Sequence, residues 1–287
     1  MRIDQLEIVF DEILWKTKIP IHLISETAKG KSTFVKNYAK KRELGFVHLI
    51  GSHTPEASDL VGIPYREETG KTDEYGHQIH IQKWTVMDWF PLDQESKGII
   101  FIDELTTMPS DVQPVLFEFI LSGRLHSKQL PKGWRIVAAS NPPTADYIGA
   151  NPMSEAMKTR FLHLQVETPA EVWVAYERER NKLLHYTKDN TILDFVEVHG
   201  DEVLSEYQEE YDLGIKANNR GMEMIHDINN LCELPEEVEF EVYAGLIGKQ
   251  KAQRYISFRK EQYKKPPTAD EILFSFERAE RKIEQIL

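Results

Sequence analysis

The sequence predicts an α/β core, a largely parallel sheet sandwiched between helices and carrying a hairpin insert, followed by an all-helical domain. Three observations predict it. Short apolar runs alternate with helical patterns up to residue 166, which is how parallel strands joined by crossover helices read. Between 62 and 97 that alternation gives way to a glycine-containing turn between two polar, β-leaning flanks. Beyond 168 nothing β-like of any length follows.

Taken in order, residues 1–15 predict an amphipathic helix, with Leu6, Val9, Phe10, Ile13 and Leu14 at helical spacing and carboxylates opposite. Ile21–Ile24, Phe46–Ile50, Ile99–Ile102, Arg135–Ala139 and Phe161–Val166 are apolar runs of four to six residues, too short for independent helices and read as strands. The segment 62–97 is read as an inserted hairpin, whose Trp84, Trp89 and Phe90 suit a small satellite core better than a contact surface. Thr168-Pro169-Ala170-Glu171 predicts a helix start: threonine as cap, proline at the first helical position, glutamate closing a capping box. A second box, Thr268-Ala269-Asp270-Glu271, opens the last helix after Pro266-Pro267. The expected domains are 1–167 and 168–287.

Composition limits what such a chain does. At 287 residues with 41% hydrophobic and 10% aromatic side chains, it has the apolar surface for two cores. A formal charge of −12 repels nucleic acid unless a local basic strip is presented, which makes protein partners the expectation. The basic run from Lys249 through Lys251, Arg254, Arg259, Lys260, Lys264 and Lys265 is read as a solvated helix face. The single cysteine, Cys232, has no partner for an internal disulfide, and acidic residues break the N-terminal apolar pattern, so a cytoplasmic protein is expected. No run of about 18 apolar residues is present to span a membrane.

Two segments carry chemistry. Ser25-Glu26-Thr27-Ala28-Lys29-Gly30-Lys31-Ser32, with Thr33 after it, follows the first strand and opens a helix. Against the phosphate-loop pattern G-x-x-x-x-G-K-[ST] it matches at Gly30, Lys31 and Ser32 and carries Ser25 in place of the first glycine. Backbone N–H groups of such a loop wrap phosphates, the ammonium reaches the outer phosphates, and the hydroxyl holds magnesium. Ser25 puts a side chain where close backbone approach is expected, at a cost to loop geometry. The second segment, Gly98 to Glu104, is an apolar strand ending in two adjacent carboxylates. Asp103 there suits magnesium, and Glu104 suits orienting an attacking water for phosphoryl transfer. Either motif alone is weak; together, in this order, they point to a Mg2+-dependent ATP site. The ten histidines show no H-E-x-x-H spacing, so no other metal is expected.

The order GKS, Phe-Ile-Asp-Glu-Leu, Val137-Ala-Ala-Ser-Asn141-Pro142, Met157-Lys-Thr-Arg160-Phe161 and Asn219-Arg220-Gly221 resembles the AAA+ superfamily, and within it the MoxR ATPases. The resemblance implies an AAA+ P-loop core with a helical lid, with glycine common at the position of Ser25 and often found at that of Ala28, where alanine is the milder replacement. It implies that Asn141 is similar to the sensor 1 residue, Arg160 to the finger that reaches a neighbouring subunit's nucleotide, and Arg220 to the sensor 2 arginine, although Asn219 stands where proline is usual. It further implies ATP hydrolysis in a homo-oligomeric, hexameric ring that remodels a client protein, one with a von Willebrand factor A domain being suggested. The rival readings are a nucleotide-binding switch without efficient hydrolysis and a DNA-directed AAA+ motor or loader, the latter opposed by the acidic balance.

Overall fold

The computed structural model describes residues 1–142, 151–204 and 217–263, together with 266, 272, 273, 279, 280 and 283. The chain divides into two compact units: Met1–Glu26 with Gly30–Glu167, and Thr27–Lys29 with Thr168–Leu287.

The first unit is built on a five-stranded sheet, β1 (Ile21–Ile24), β2 (Gly45–Ile50), β5 (Lys97–Asp103), β8 (Gly133–Ser140) and β9 (Leu162–Gln165), in the order β2-β5-β8-β1-β9. Every pairing in it is parallel. All five strands fall on the runs read from the sequence. Ile99, Ile100, Phe101 and Ile102 are fully buried, as a central parallel strand covered on both faces requires. The register pairs Ile24 with Ser140 and Ile50 with Asp103. Ser25, Asp103 and Asn141 therefore leave the sheet at one edge, the carboxyl end where α/β sheets bind ligands.

The N-terminal helix forms as Leu6–Val9, Phe10–Leu14 and Trp15–Thr17, the middle stretch wound as a π-turn. Leu6, Phe10 and Leu14 are its buried stripe, and Ile8 on the other side is exposed. Its C-terminal carbonyls are taken up by the buried Arg135 of β8, which donates to Leu14 O at 3.0 Å and Trp15 O at 3.1 Å.

The insert is an antiparallel hairpin of β3 (Pro64–Thr72) and β4 (Gln78–Trp84). Asp73 Oδ1 accepts from Tyr75 N (2.9 Å) and His77 N (2.8 Å) to close its turn. Its aromatics do not form a satellite core. Phe90 and Trp89 pack into the main core, and Trp84 stacks on His126 with ring centroids 3.9 Å apart. His126 sits in the short hairpin of β6 (Arg124–Leu125) and β7 (Lys128–Gln129). An aromatic spacing count does not reveal that second hairpin.

The described part of the second unit is helical: Ala170–Leu184, Thr191–His199, Asn219–Leu231, Glu236–Ile247 and Lys249–Tyr263. Its first helix does not use the capping box read from the sequence. Pro169 takes the cap position, Asp201 Oδ1 accepts from Ala170 N at 2.8 Å, and Thr168 Oγ1 donates instead to Lys29 O at 2.5 Å. The box at Thr268–Glu271 lies outside the described residues, as do Lys264 and Lys265. The rest of the basic run is a solvated face only in part, with Lys249 and Lys260 exposed. Arg259 donates to Glu239 (2.8 Å) and to the Tyr243 hydroxyl (3.0 Å), Lys251 is buried, and Arg254 and Lys260 pair with Glu202 and Glu236.

Candidate nucleotide-binding site

The loop after β1 is tied to its neighbour strand by Ser25 N donating to Ser140 O at 3.3 Å. It ends at Gly30, whose φ of +83° is left-handed and whose absent side chain leaves room for Ile3. The helix Lys31–Lys41 begins there, so the unpaired N–H groups of its first turn face the carboxyl edge of the sheet.

Lys31 is buried, and its ammonium has four acceptors: Ser25 O (2.6 Å), Ser25 Oγ (3.0 Å), Glu26 O (3.1 Å) and Asn141 Oδ1 (3.3 Å). Burial pulls its pKa from the usual lysine range to about 8, against the opposing charges of Asp103, Glu104 and Glu26. Beside it Ser32 Oγ donates to Asp103 Oδ2 at 2.5 Å. A hydroxyl and a carboxylate so placed are the hard-oxygen pair that magnesium prefers, and the helix N-terminus with its ammonium suits a polyphosphate. The residues present therefore fit both groups.

Glu104 has φ +51°, the left-handed conformation, and its own N–H is held by Asp103 Oδ1 at 2.9 Å. This turn nests against the end of β2. A side chain on Gly51 would come within 2.3 Å of Glu104 O, so only glycine allows the approach. Two further side chains from that end reach the carboxylates. His48 Nε2 lies 3.3 Å from Asp103 Oδ2, and Ser52 Oγ donates to Glu104 Oε2 at 3.4 Å. His48, Gly51 and Ser52 were missed in the sequence. The available signal was the string of polar residues and glycine at the carboxyl end of a strand read as parallel.

The two loop positions that carry side chains in place of a possible glycine, Ser25 and Ala28, exchange roles. Ser25, expected to distort the loop, is absent from the left-handed residues, so its Cβ meets no backbone penalty there; its hydroxyl accepts from Lys31 and donates to Glu26 O at 3.1 Å. Ala28, expected to be mild, carries φ +63°. For an L-residue that conformation costs roughly 1–2 kcal/mol. Thr27, Ala28 and Lys29 form the crest of the loop and group with the second unit, and Thr33 lies exposed in the first turn of the helix.

Structure brings Lys31, Ser32, Asp103, Glu104 and Asn141 to one sheet edge. It does not bring Arg160 there. The register pairs Ile21 with Leu162, so Arg160 precedes the amino-terminal end of β9, across the sheet from the loop. Its Nε donates to Phe117 O at 3.2 Å, a second nitrogen bonds Ala156 O, and the guanidinium covers the Phe117 ring at 4.7 Å. Arg220 is exposed in the first turn of the helix Asn219–Leu231 of the second unit, where Asn218 Oδ1 caps by accepting from Gly221 N at 3.0 Å.

Among the described residues no helix is long and apolar enough to cross a membrane, and no group of three or more metal-ligating side chains is present. A search of curated protein sequences finds no match. Among solved structures, the chain is similar to a RuvB mutant of Thermotoga maritima (TM-score 0.47, 13% identity, 94% of this chain and 76% of that one). It is similar too to the RuvB Holliday junction branch migration motor of the same organism (TM-score 0.46, 12% identity, 99% and 86%). Residues 23–161 match the family of AAA domains of the dynein-related subfamily. That span runs from the middle of β1 to the start of β9 and takes in the loop, both carboxylates and Asn141. Over that span the chain is similar to AAA domains, and its parallel sheet with the loop after β1 has the layout of a P-loop fold.

Proposed function

We propose that the protein is an AAA+ ATPase of the MoxR type, which hydrolyses ATP in a ring, hexameric by family resemblance, to remodel a client protein. The observation that carries the reading is the convergence of Lys31, Ser32, Asp103, Glu104 and Asn141 on one sheet edge, joined by hydrogen bonds of 2.5 to 3.3 Å between Ser32 and Asp103 and between Lys31 and Asn141.

ATP is the substrate; bound Mg2+, held by Ser32 with Asp103, would neutralise phosphate charge. Lys31 exchanges its loop carbonyls for the outer phosphates, and the amides of the first helical turn bind oxygen alongside it. Glu104, held in a left-handed backbone conformation next to Asp103, orients the attacking water and accepts its proton. Asn141 fixes the far side of the reacting group. Arg160, at the opposite end of its own sheet, suits a neighbouring subunit's site better than its own, and there it would stabilise charge on the transferring phosphoryl group. Arg220, exposed at a helix start, serves as the lid arginine that reports nucleotide state. A von Willebrand factor A domain is the client class that the family resemblance suggests.

The test is a Glu104→Gln substitution. It is expected to keep ATP binding, lower turnover by about 10²–10³-fold, and trap a ring with its client adhering, which mass spectrometry of material copurified from the native host would identify. Turnover unchanged in Glu104→Gln would overturn the assignment. Tight binding with no turnover in the wild-type assembly would select the nucleotide switch, and turnover that rises with DNA and binding that falls steeply with salt would select the DNA motor.

A further inference from the structure

One hydrogen-bonded line in the first unit serves none of the roles above. It starts at Ser140, the last residue of β8 and the neighbour of Asn141, whose hydroxyl lies 2.9 Å from His22 Nε2. His22 sits in the middle of β1, fully buried, and its Nδ1 is 2.9 Å from Nδ1 of His163 on the edge strand β9. His163 Nε2 is 2.7 Å from Lys158 O, the carbonyl at the end of the helix Glu155–Lys158. Lys158 is two residues before Arg160.

The chemistry of the four groups fixes the direction of the line. Lys158 O only accepts, so His163 carries its proton on Nε2. Nδ1 of His163 then offers a lone pair, and His22 donates from its own Nδ1. Burial, with His163 and Lys31 nearby, holds the His22 pKa at about 3, so the ring is neutral and its Nε2 accepts from the Ser140 hydroxyl. Ser140, His22, His163 and the Lys158 carbonyl therefore form one polarised chain across three strands, each donor pointing toward the turn that carries Arg160.

We infer that His22 is a positioning residue that ties the β8 end carrying Asn141 to the turn carrying Arg160. Within one subunit these two side chains stand at opposite ends of the sheet, one beside its own loop and the other suited to a neighbour's site. A rigid line between them makes the placement of the finger depend on where β8 ends. The inference rests on the proposed roles of Asn141 and Arg160 and adds to them a mechanical connection through named side chains.

The experiment has two arms. In protein labelled with 15N-histidine, long-range proton–nitrogen spectra, with His22 and His163 assigned by single substitution, are expected to show His22 protonated on Nδ1 and His163 on Nε2. His22 protonated on Nε2 would overturn the line. The second arm measures ATP turnover in Ser140→Ala, His163→Phe and the double variant, which remove the two ends while leaving His22 in place; His163 is exposed, so its loss spares the core. Each single variant is expected to lower kcat about fivefold with KM within about twofold, the double to lose no more than the worse single, and His163→Gln, which keeps a donor and an acceptor, to recover most of kcat. Losses that multiply in the double variant would show two independent structural effects and sink the inference with the ATPase reading intact. A wild-type chain without turnover would instead remove the ATPase reading and the positioning role together.

Discussion

Nucleotide affinity should fall as pH rises from 7 to 9, and one side chain sets the amount. The Lys31 ammonium is removed from water and faces two carbonyl oxygens, a hydroxyl and an amide oxygen, which together replace hydration poorly enough to bring its pKa to about 8. Polyphosphate supplies full negative charge at the same place, so the bound state returns the group toward the usual lysine value near 10.4. The free loop then carries its charge on about nine molecules in ten at pH 7, about half at pH 8 and about one in ten at pH 9. Binding selects the charged form. Affinity for magnesium–ADP should therefore drop about tenfold between pH 7 and 9, or about 1.4 kcal/mol, and binding at pH 8 should take up about half a proton. Calorimetry in two buffers of different ionisation heat reads both quantities. Lys31→Met, which binds more weakly at every pH, supplies the baseline for titration of the nucleotide and the carboxylates. A wild-type affinity as flat as that baseline, with no proton uptake at pH 8, would refute the argument that the ammonium is desolvated before the nucleotide arrives.

Three other outcomes are expected. Arg160→Ala should lower turnover of the assembled protein by about 10³-fold while leaving nucleotide affinity nearly unchanged, and mixing it with Glu104→Gln subunits should restore part of the activity, since some interfaces then join an intact finger to an intact Glu104; no recovery in the mixture would place the arginine in its own subunit's chemistry or in none. Ala28→Gly should stabilise the protein by about 0.5–1 kcal/mol in urea unfolding, the roughly 1–2 kcal/mol of left-handed strain less the added freedom of glycine in the unfolded chain; a loss of stability would show that the strain is not there. Glu177 is fully buried in the second unit, and burial, with Glu223 adding and Arg180 opposing, raises its pKa to about 7. The folded state binds that proton more tightly than the unfolded one, so its stabilising share is complete below the unfolded value near 4.5 and is lost as pH rises through 7; Glu177→Gln should accordingly gain about 3 kcal/mol over wild type at pH 8.5 and little at pH 4.5, and equal gains at both would refute it.

What was legible in the sequence is what repeats along the chain. The central strands β1, β5 and β8 are buried and the edge strands β2 and β9 partly so; each shows as a short, mainly apolar run, and the carboxyl ends of the central three locate Ser25, Asp103 and Asn141. What stayed hidden depends on partners distant in sequence. His48 and Ser52 matter only because β2 lies beside β5, a pairing that no local pattern announces. Arg259 reads as one cation among many until the fold sets Glu239 and Asp189 around it. The Thr168 cap failed for the same reason: a local capping box competes with any acceptor the tertiary structure brings to the helix end, and Asp201 arrives from 31 residues away.

The phosphate loop shows why a pattern of residue types is weaker evidence than the backbone angles beneath it. Glycine is required where φ is positive or where another backbone comes too near for a Cβ. Gly30 meets the first condition and Ser25 does not. The serine instead gives the ammonium a resting partner, so the free loop holds Lys31 with contacts that phosphate must replace. Two of the four acceptors, Ser25 O and Glu26 O, are backbone carbonyls that any residue would supply. Replacing Ser25 by glycine would therefore remove only the hydroxyl and leave most of the competition in place. The tension at this site comes from a buried lysine held by its own loop yet poorly compensated for lost hydration, together with strain at Ala28, rather than from the missing first glycine.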